Sequence, residues 1–260
     1  MMWTRYELKQ RSKELLRKCY WAAVAVCLIA GILGGSYSSG GSSSENGKTE
    51  IRVVTPETDH GDYSGPVRRA VSALVGSVTG LIFLTMGMIV AVIGLLVKIL
   101  VGNPMEVGKQ YFFLKAQIGR PSVGDLLYAF RNGRYGNVVI TTFLQKIKIF
   151  LWSLLLVVPG IVKSYEYYLV PYILAENPEL EQSRIFELSR EMMDGQKMEA
   201  FLLDLSFLPW MLLGAVTCNL SNVLWTAPYM AGTKAELYAV LRMDAIQRGI
   251  TNTYELPGCF

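Results

Sequence analysis

Long apolar runs separated by polar segments dominate the hydrophobic pattern of the chain. A helix needs about 20 apolar residues to cross the hydrocarbon core of a bilayer, and several runs approach that length. The run from Ala70 to Val97 contains no charged residue, which is rare for a core helix of a soluble protein. The pattern predicts an all-α fold, a polytopic membrane helix bundle of about six transmembrane helices with cytoplasmic amphipathic helices.

Membrane helices and polar segments alternate in the predicted organisation. The segments are a basic cytoplasmic helix (1–19), the first membrane helix (20–35), an extracytoplasmic Gly/Ser-rich loop (36–69), the second membrane helix (70–101), a cytoplasmic interfacial segment (102–137), a hairpin of the third and fourth helices (138–176), a cytoplasmic amphipathic helix (177–197), a hairpin of the fifth and sixth helices (198–240) and a cytoplasmic tail (241–260). We expect the first hairpin to break at Pro159 and Gly160, because proline removes a helical hydrogen bond. A single kinked helix there is the alternative, and it gives five crossings.

Basic residues favour six crossings with both termini in the cytoplasm, because Lys and Arg collect in cytoplasmic loops. In this arrangement the inner segments hold 16 basic residues and the outer segments hold four. Hydrophobic residues make up 52% of the chain and charged residues 18%, too few charges for the surface of a soluble protein of this size. The net charge of +4 reflects topology and requires no nucleic acid as a partner.

The first apolar run has two interpretations. A basic segment followed by a short apolar stretch and small residues also describes a cleaved signal peptide. However, the basic segment contains Leu8, Leu15 and Leu16 among its charged residues, as an amphipathic helix does. Gly31 and Gly35 have the spacing that lets membrane helices pack closely. A retained membrane anchor is therefore the favoured interpretation.

Two cytoplasmic segments combine basic and apolar residues in a pattern typical of membrane-surface helices. Residues 102–137 place aromatic residues and leucines beside Lys and Arg, and residues 177–197 place Ile185, Leu188 and Met192 on one helix face. Such helices lie at an anionic leaflet. We therefore expect the lipid bilayer, with its anionic inner-leaflet lipids, to be a partner. Packing of both segments as a cap on the bundle is the alternative.

Charged residues inside the membrane helices are the candidate polar site, because a charge in hydrocarbon is costly and faces protein or water. The candidates are Lys163, Glu166, Asp204, Lys234 and Glu236. A hairpin that turns near Asn219 brings residues 204 and 234 to the same depth, so Asp204 and Lys234 are expected to pair. Lys163 and Glu166, three residues apart, can pair on one helix nearer the outer surface. These groups form either neutralised contacts that fix helix register or an ion, proton or substrate pathway.

Small residues on the second membrane helix predict close helix packing. Ser72, Gly76 and Gly80 recur every four residues, the spacing at which helix backbones approach each other. The contact can be within the chain, with a second copy in a homo-oligomer, or with another membrane protein.

Motifs for catalysis, cofactors and metals are absent from the sequence. There is no HExxH, GxSxG or phosphate-binding loop, and the four cysteines lack metal-site spacing. The single histidine, His60, stands beside Asp59 in the outer loop without a second His or Cys. We therefore predict no catalytic residue, no cofactor, no metal site and no enzymatic activity.

The second half of the chain resembles a known family of uncharacterised bacterial membrane proteins. The segments that carry the resemblance are LLYAFRNGRYGNVV (126–139), LWSLLLVVPGIVKSYEYYLVPYILAENPEL (151–180), LSREMMDGQKMEAFLLDLSFLPW (188–210) and LWTAPYMAGTKAELY (224–238). They resemble the domain of unknown function 975, common in Gram-positive bacteria. The resemblance implies a multi-helix protein of the bacterial cytoplasmic membrane and no known reaction or ligand.

Two functional hypotheses follow from these patterns. The first is a non-enzymatic scaffold, sensor or accessory component of a membrane or envelope system, because reactive groups are scarce. The second is a small transporter, channel or lipid-handling protein that uses the intramembrane Asp, Lys and Glu residues, with helix breaks at Pro159 and Pro171.

Overall fold

The computed structural model describes residues 3–34, 65–119, 121–131, 133, 135–217 and 219–258, with side chains between residues 32 and 77 outside this description. The chain forms two units. One comprises Met1–Tyr37 and Lys98–Phe260, and the other comprises Ser38–Val97. The predicted Gly/Ser-rich loop up to residue 64, with His60, lies outside the described residues.

The described residues form helices and turns and contain no strand, so the predicted all-α fold is confirmed. The α-helices are α1 (Arg5–Gly34), α2 (Gly65–Val97), α3 (Asn103–Ile118), α4 (Tyr128–Arg131), α5 (Tyr135–Leu155), α6 (Val157–Glu166), α7 (Val170–Glu176), α8 (Gln182–Met192), α9 (Lys197–Leu205), α10 (Leu208–Val216) and α11 (Ala227–Gln247). Two π-helical turns, Lys98–Gly102 and Asn222–Thr226, precede α3 and α11, and a 3-10 turn, Val123–Leu127, precedes α4.

Among the described residues, three helical stretches are long and apolar enough to cross a membrane: Val78–Ile118, Tyr135–Leu155 and Lys197–Val216. The described residues thus form an all-helical protein with three helices that could span a membrane, judged by their length and composition. Six crossings and the cytoplasmic position of the amphipathic helices stay predictions.

The unit that contains α2 carries the predicted helix-packing residues. Ser72, Gly76 and Gly80 lie on α2, which runs unbroken over 33 residues. The described side chains of this helix begin at Val78. Close packing through these three residues stays a prediction.

Helix α1 continues through the predicted boundary between basic helix and membrane anchor, with a kink there. Cys19 has φ −137° and ψ 30°, outside the helical region. Leu8, Ser12 and Leu15 share one buried face of the first half, as a spacing of three or four residues dictates. Ser12 Oγ donates to the backbone oxygen of Tyr229 at 3.2 Å, which joins α1 to α11.

The larger unit has a hydrophobic core built from α3, α7, α8, α9 and α11. The largest fully buried side chains include Phe112, Phe113, Leu169, Ile173, Leu174, Ile185, Leu188, Met192, Met193, Phe207 and Tyr238. Every residue of α7 is buried. Helix α3 lies in the segment 102–137, for which a membrane-surface helix and a cap on the bundle were the two expectations. Its buried side chains pack within this core, which agrees with the second expectation.

The predicted break at Pro159–Gly160 is wrong by three residues. Leu156 adopts φ −159° and ψ 140° between α5 and α6, and Pro159 and Gly160 lie inside α6. Proline is accommodated there because the first helical turn has amide groups without intrahelical partners. A Cβ atom added at Gly160 would lie 2.7 Å from Cα of Ser153, so glycine permits the close approach of the two helices.

Helices α5 and α6 form a tight hairpin rather than one kinked helix. Gln145 Nε2 donates to the backbone oxygen of Tyr167 at 2.7 Å, and the Lys163 ammonium lies 5.4 Å from the ring centroid of Trp152. These two contacts pair residues on either side of Leu156. The chain therefore reverses direction at this residue.

The second predicted amphipathic helix begins later than expected. Helix α8 starts after Glu181, whereas Asn177 accepts a hydrogen bond from the Glu179 amide and forms a turn. Ile185, Leu188 and Met192 are buried on one face of α8. The helix ends before Gly195, which has φ +73°, a conformation that glycine adopts without strain.

Candidate functional site

A polar cluster formed by Asp204, Lys234 and Tyr165 lies between apolar helices. Lys234 Nζ is 3.0 Å from Asp204 Oδ1, and the Tyr165 hydroxyl donates to Asp204 Oδ2 at 3.1 Å. The side chains of Asp204 and Lys234 are 26% and 22% exposed. The structure thus brings two of the five candidate residues, Asp204 and Lys234, into direct contact and adds Tyr165 to them.

The chain places this cluster through a hairpin between α9–α10 and α11. Asn219 occupies the turn with φ 66°, a conformation that asparagine tolerates better than most residues. Asp204 and Lys234 lie fifteen residues to either side, so an antiparallel return brings them level. The Lys234 ammonium also lies 5.1 Å from the ring centroid of Tyr168, which adds a cation–π contact.

A second polar cluster centres on Glu166 at the end of α6. Its carboxylate accepts from Lys163 Nζ at 2.6 Å and from Lys197 Nζ at 2.9 Å. The pairing of residues 163 and 166 is thus present, and Lys197 joins it from the start of α9. The expectation that Lys163 and Glu166 lie nearer the outer surface than Asp204 stays a prediction.

Glu236, the fifth candidate, lies apart from both clusters. It is on α11 two residues after Lys234, and the charges that act on it are those of Arg11 and Glu14 on α1. Residues two apart on a helix point in different directions. Glu236 therefore belongs to the contact between α1 and α11.

A third polar network was missed by the sequence analysis. Glu176 ends α7, and its carboxylate accepts from Arg242 Nε at 2.6 Å and from the Tyr238 hydroxyl at 2.5 Å. Tyr238 and Arg242 are four residues apart on α11, so they share a helix face. Two features of the sequence could have indicated this network. Tyr238 and Arg242 are four residues apart, and Glu176 ends an apolar run.

Each of these clusters pairs a carboxylate with at least one Lys or Arg side chain. Within the described part of the chain, no three His, Cys, Asp or Glu side chains come together in a way that could hold a metal ion. The arrangement can neutralise charge and fix helix positions.

The region that holds the first two clusters also carries the similarity to known proteins. Its helices match a family model described as Protein of unknown function (DUF975). Residues 154–245 are the DUF975 match. The resemblance inferred from the sequence is thereby confirmed for this part of the chain.

The DUF975 match includes α6 to α10 and most of α11, and therefore Lys163, Glu166, Asp204 and Lys234. No curated protein and no solved structure gives a significant match to the chain.

Proposed function

We propose that the protein is a multi-pass component of the bacterial cytoplasmic membrane, with both termini in the cytoplasm, that acts as a non-enzymatic scaffold or accessory subunit of a membrane or envelope system. The observation that carries this proposal is the direct ion pair between Asp204 and Lys234. A neutralised pair between helices fixes their register, whereas a charge that carries ions must be able to exchange its partner.

The other charged groups support a structural role in the same way. Glu166 is held by two lysines and Glu176 by an arginine and a tyrosine. Polar groups that satisfy one another inside an apolar bundle are bound strongly, because alternative partners are few. We therefore assign these clusters to the assembly of the helices.

A double-mutant cycle tests this assignment. Asp204→Asn and Lys234→Met should each lower the free energy of unfolding by roughly 3 kcal/mol, because each leaves a charge without its partner. The double variant should recover most of the loss. Unfolding in detergent micelles, followed by circular dichroism, measures all three, and Lys18→Met, at an exposed lysine on α1, serves as the control.

A double variant as unstable as the sum of the singles would contradict the structural assignment. A Lys18→Met variant as unstable as Lys234→Met would indicate a general effect of removing a lysine.

A transporter or channel is the second candidate, and the helix breaks near the charges favour it. Helices α6 and α7 are separated by a turn that follows Tyr165, and a short turn at Ser206 and Phe207 with right-handed helical dihedrals separates α9 from α10 beside Asp204. Transporters bind substrates and ions where helices are discontinuous. For this candidate, Asp204→Asn should fold as the unmodified chain does and abolish proton or K⁺ flux in proteoliposomes that contain a pH-sensitive dye or a K⁺ electrode.

A further inference from the structure

Lys148 on α5 lies directly over an aromatic side chain of α8. Its ammonium nitrogen is 3.5 Å from the ring centroid of Phe186 and 5.7 Å from that of Tyr167. These contacts hold the lysine head near the surface of α8. Lys148 is therefore fixed in position although it forms no ion pair with a carboxylate of the described residues.

Arg190 places a second positive charge beside Lys148. It lies four residues after Phe186 on α8, on the same helix face, and its charge acts on Lys148. The nearby acids of α8 are directed elsewhere, because Glu187 and Glu191 lie 2.8 Å and 3.9 Å from Arg184. Both cations therefore lie near Phe186, and neither forms an ion pair with a carboxylate among the residues that the structure describes.

The surface changes from charged to apolar at this pair of cations. Beyond Lys148 on α5, the side chains of Phe150, Leu151 and Leu154 are 67%, 62% and 73% exposed. On the other side, α8 presents the exposed charges of Glu187 and Arg190. A ligand that satisfies both surfaces needs an anionic group and an apolar body.

We propose that Lys148 and Arg190 form a binding site for the phosphate of an anionic phospholipid, whose acyl chains lie against the exposed apolar face of α5. This inference rests on the proposed membrane location of the chain. Lys148 lies within α5, inside the predicted hairpin 138–176, and the long stems of Lys and Arg let their charged ends reach lipid head groups from an apolar helix surface. Phosphatidylglycerol has the required charge and shape.

The neighbouring Glu166 cluster adds positive charge to the same region. Ser189, next to Arg190, donates to the backbone oxygen of Glu166 at 2.7 Å, so α8 contacts the end of α6 at this point. Lys163 and Lys197 share the single carboxylate of Glu166. An acidic peptide would satisfy the cations but would leave the apolar residues of α5 uncovered, which is why the lipid fits better.

Native mass spectrometry of the full chain in mild detergent tests the site. The protein is incubated with equal concentrations of phosphatidylglycerol and phosphatidylcholine, and the ratio of the two bound lipids is measured. Removing both charges with Lys148→Gln and Arg190→Gln should lower this ratio on the order of tenfold, because each cation at the interface contributes several-fold to anionic lipid binding. Lys148→Arg with Arg190→Lys should retain it.

Arg5→Gln with Arg131→Gln is the matched control, since both arginines are exposed and lie outside this region. An equal fall of the ratio in the control would overturn the proposal, because it would show a general charge effect. Displacement of phosphatidylglycerol by millimolar glycerophosphate would also overturn it, because a soluble phosphate would then suffice.

Circular dichroism establishes that the compared variants are folded. If the double variant does not fold, the single variants replace it, and an unchanged ratio in both folded singles overturns the site. Extraction of the chain from membranes by alkaline carbonate would contradict the proposed membrane location itself. Retention in the membrane with an unchanged ratio would contradict only the lipid site.

Discussion

The Glu176 carboxylate lies 2.6 Å from Nε of Arg242, which ties the end of α7 to α11. The Glu176 side chain is 1% exposed, and it also accepts from Tyr238 and from the backbone amide of Gly258 at 2.5 Å each. A single carboxylate therefore connects two core helices and the C-terminal segment. Its charge requires all three partners, because water does not reach it.

Loss of the arginine should strongly destabilise the fold. Arg242→Gln leaves the Glu176 charge buried without a counterion, and we expect a fall of about 3–5 kcal/mol in the free energy of unfolding. Unfolding by urea in detergent micelles measures it. The matched control is Arg17→Gln on α1, where the arginine is exposed and the expected loss is below about 1 kcal/mol.

Equal losses in the Arg242→Gln and Arg17→Gln variants would contradict this account of the Glu176 network. Glu176→Gln combined with Arg242→Gln should lose less than the two single variants added together, because neither charge is then left unpaired.

Close packing of the α5–α6 hairpin gives a second prediction. Gly160→Ala should destabilise the protein by about 1–3 kcal/mol, because the new Cβ would lie 2.4 Å from Oγ and 2.7 Å from Cα of Ser153. Gly136→Ala on α5 is the control, since nothing lies within 4 Å of its Cβ position. Alanine there should be neutral or stabilising by up to about 1 kcal/mol.

Thermal unfolding of the two glycine variants in the same detergent compares them directly. A Gly160→Ala variant as stable as the unmodified chain would show that α5 and α6 are not in close contact at Ser153.

Contacts within one hairpin could be predicted from the sequence. Counting residues from a turn near Asn219 places 204 and 234 at the same level, and the structure has an ion pair between them. This works because two antiparallel helices that share a turn advance by the same distance per residue. The helical periodicity of Ile185, Leu188 and Met192 likewise predicts their buried face, since side chains three or four apart align.

Contacts between separate hairpins could not be predicted in this way. Lys197 reaches Glu166 from a helix that begins after α8, so no shared turn relates the two positions. The break at Leu156 was missed because proline is the stronger signal in sequence, yet proline fits the first turn of a helix. Lys148 and Arg190 were separated in the predicted organisation, and only the packing of α8 on α5 brings them together.

The C-terminal segment should depend on pH through Glu255. Hydrogen bonds from Arg184 at 3.0 Å and 3.2 Å hold the pKa of Glu255 below its ordinary value of 4.5. A group whose pKa is lower in the folded chain stabilises the fold above its unfolded pKa, and this stabilisation disappears as the pH falls through the lowered value. The contribution of Glu255 should therefore be full near neutral pH and decline below about pH 4.5.

Glu255→Gln should lower the free energy of unfolding at neutral pH and reduce its decline on acidification. Urea unfolding between pH 7 and the lowest pH at which the chain stays folded measures this dependence. Glu181→Gln is the control, because Glu181 makes no capping hydrogen bond at the start of α8. The same acid dependence in the Glu255→Gln variant and in the unmodified chain would exclude this role for the Arg184–Glu255 contact.

Cysteine labelling should distinguish six crossings from five. In a chain whose four native cysteines are replaced by serine, we expect Ser42→Cys to react with a membrane-impermeant maleimide in intact cells. Ser183→Cys and Thr253→Cys, at exposed positions, should react only after permeabilisation. The reason is the reversal at Leu156, which returns the chain toward the side from which α5 started.

The five-crossing arrangement makes the opposite forecast for the two later positions. It places residues 177–197 and the C-terminus outside, so Ser183→Cys and Thr253→Cys would both react in intact cells. Reaction at residue 253 but not at 183 would instead mean that the last hairpin crosses only once. Each labelling pattern therefore corresponds to one path of the chain, because the loops on either side of a crossing must lie in different compartments.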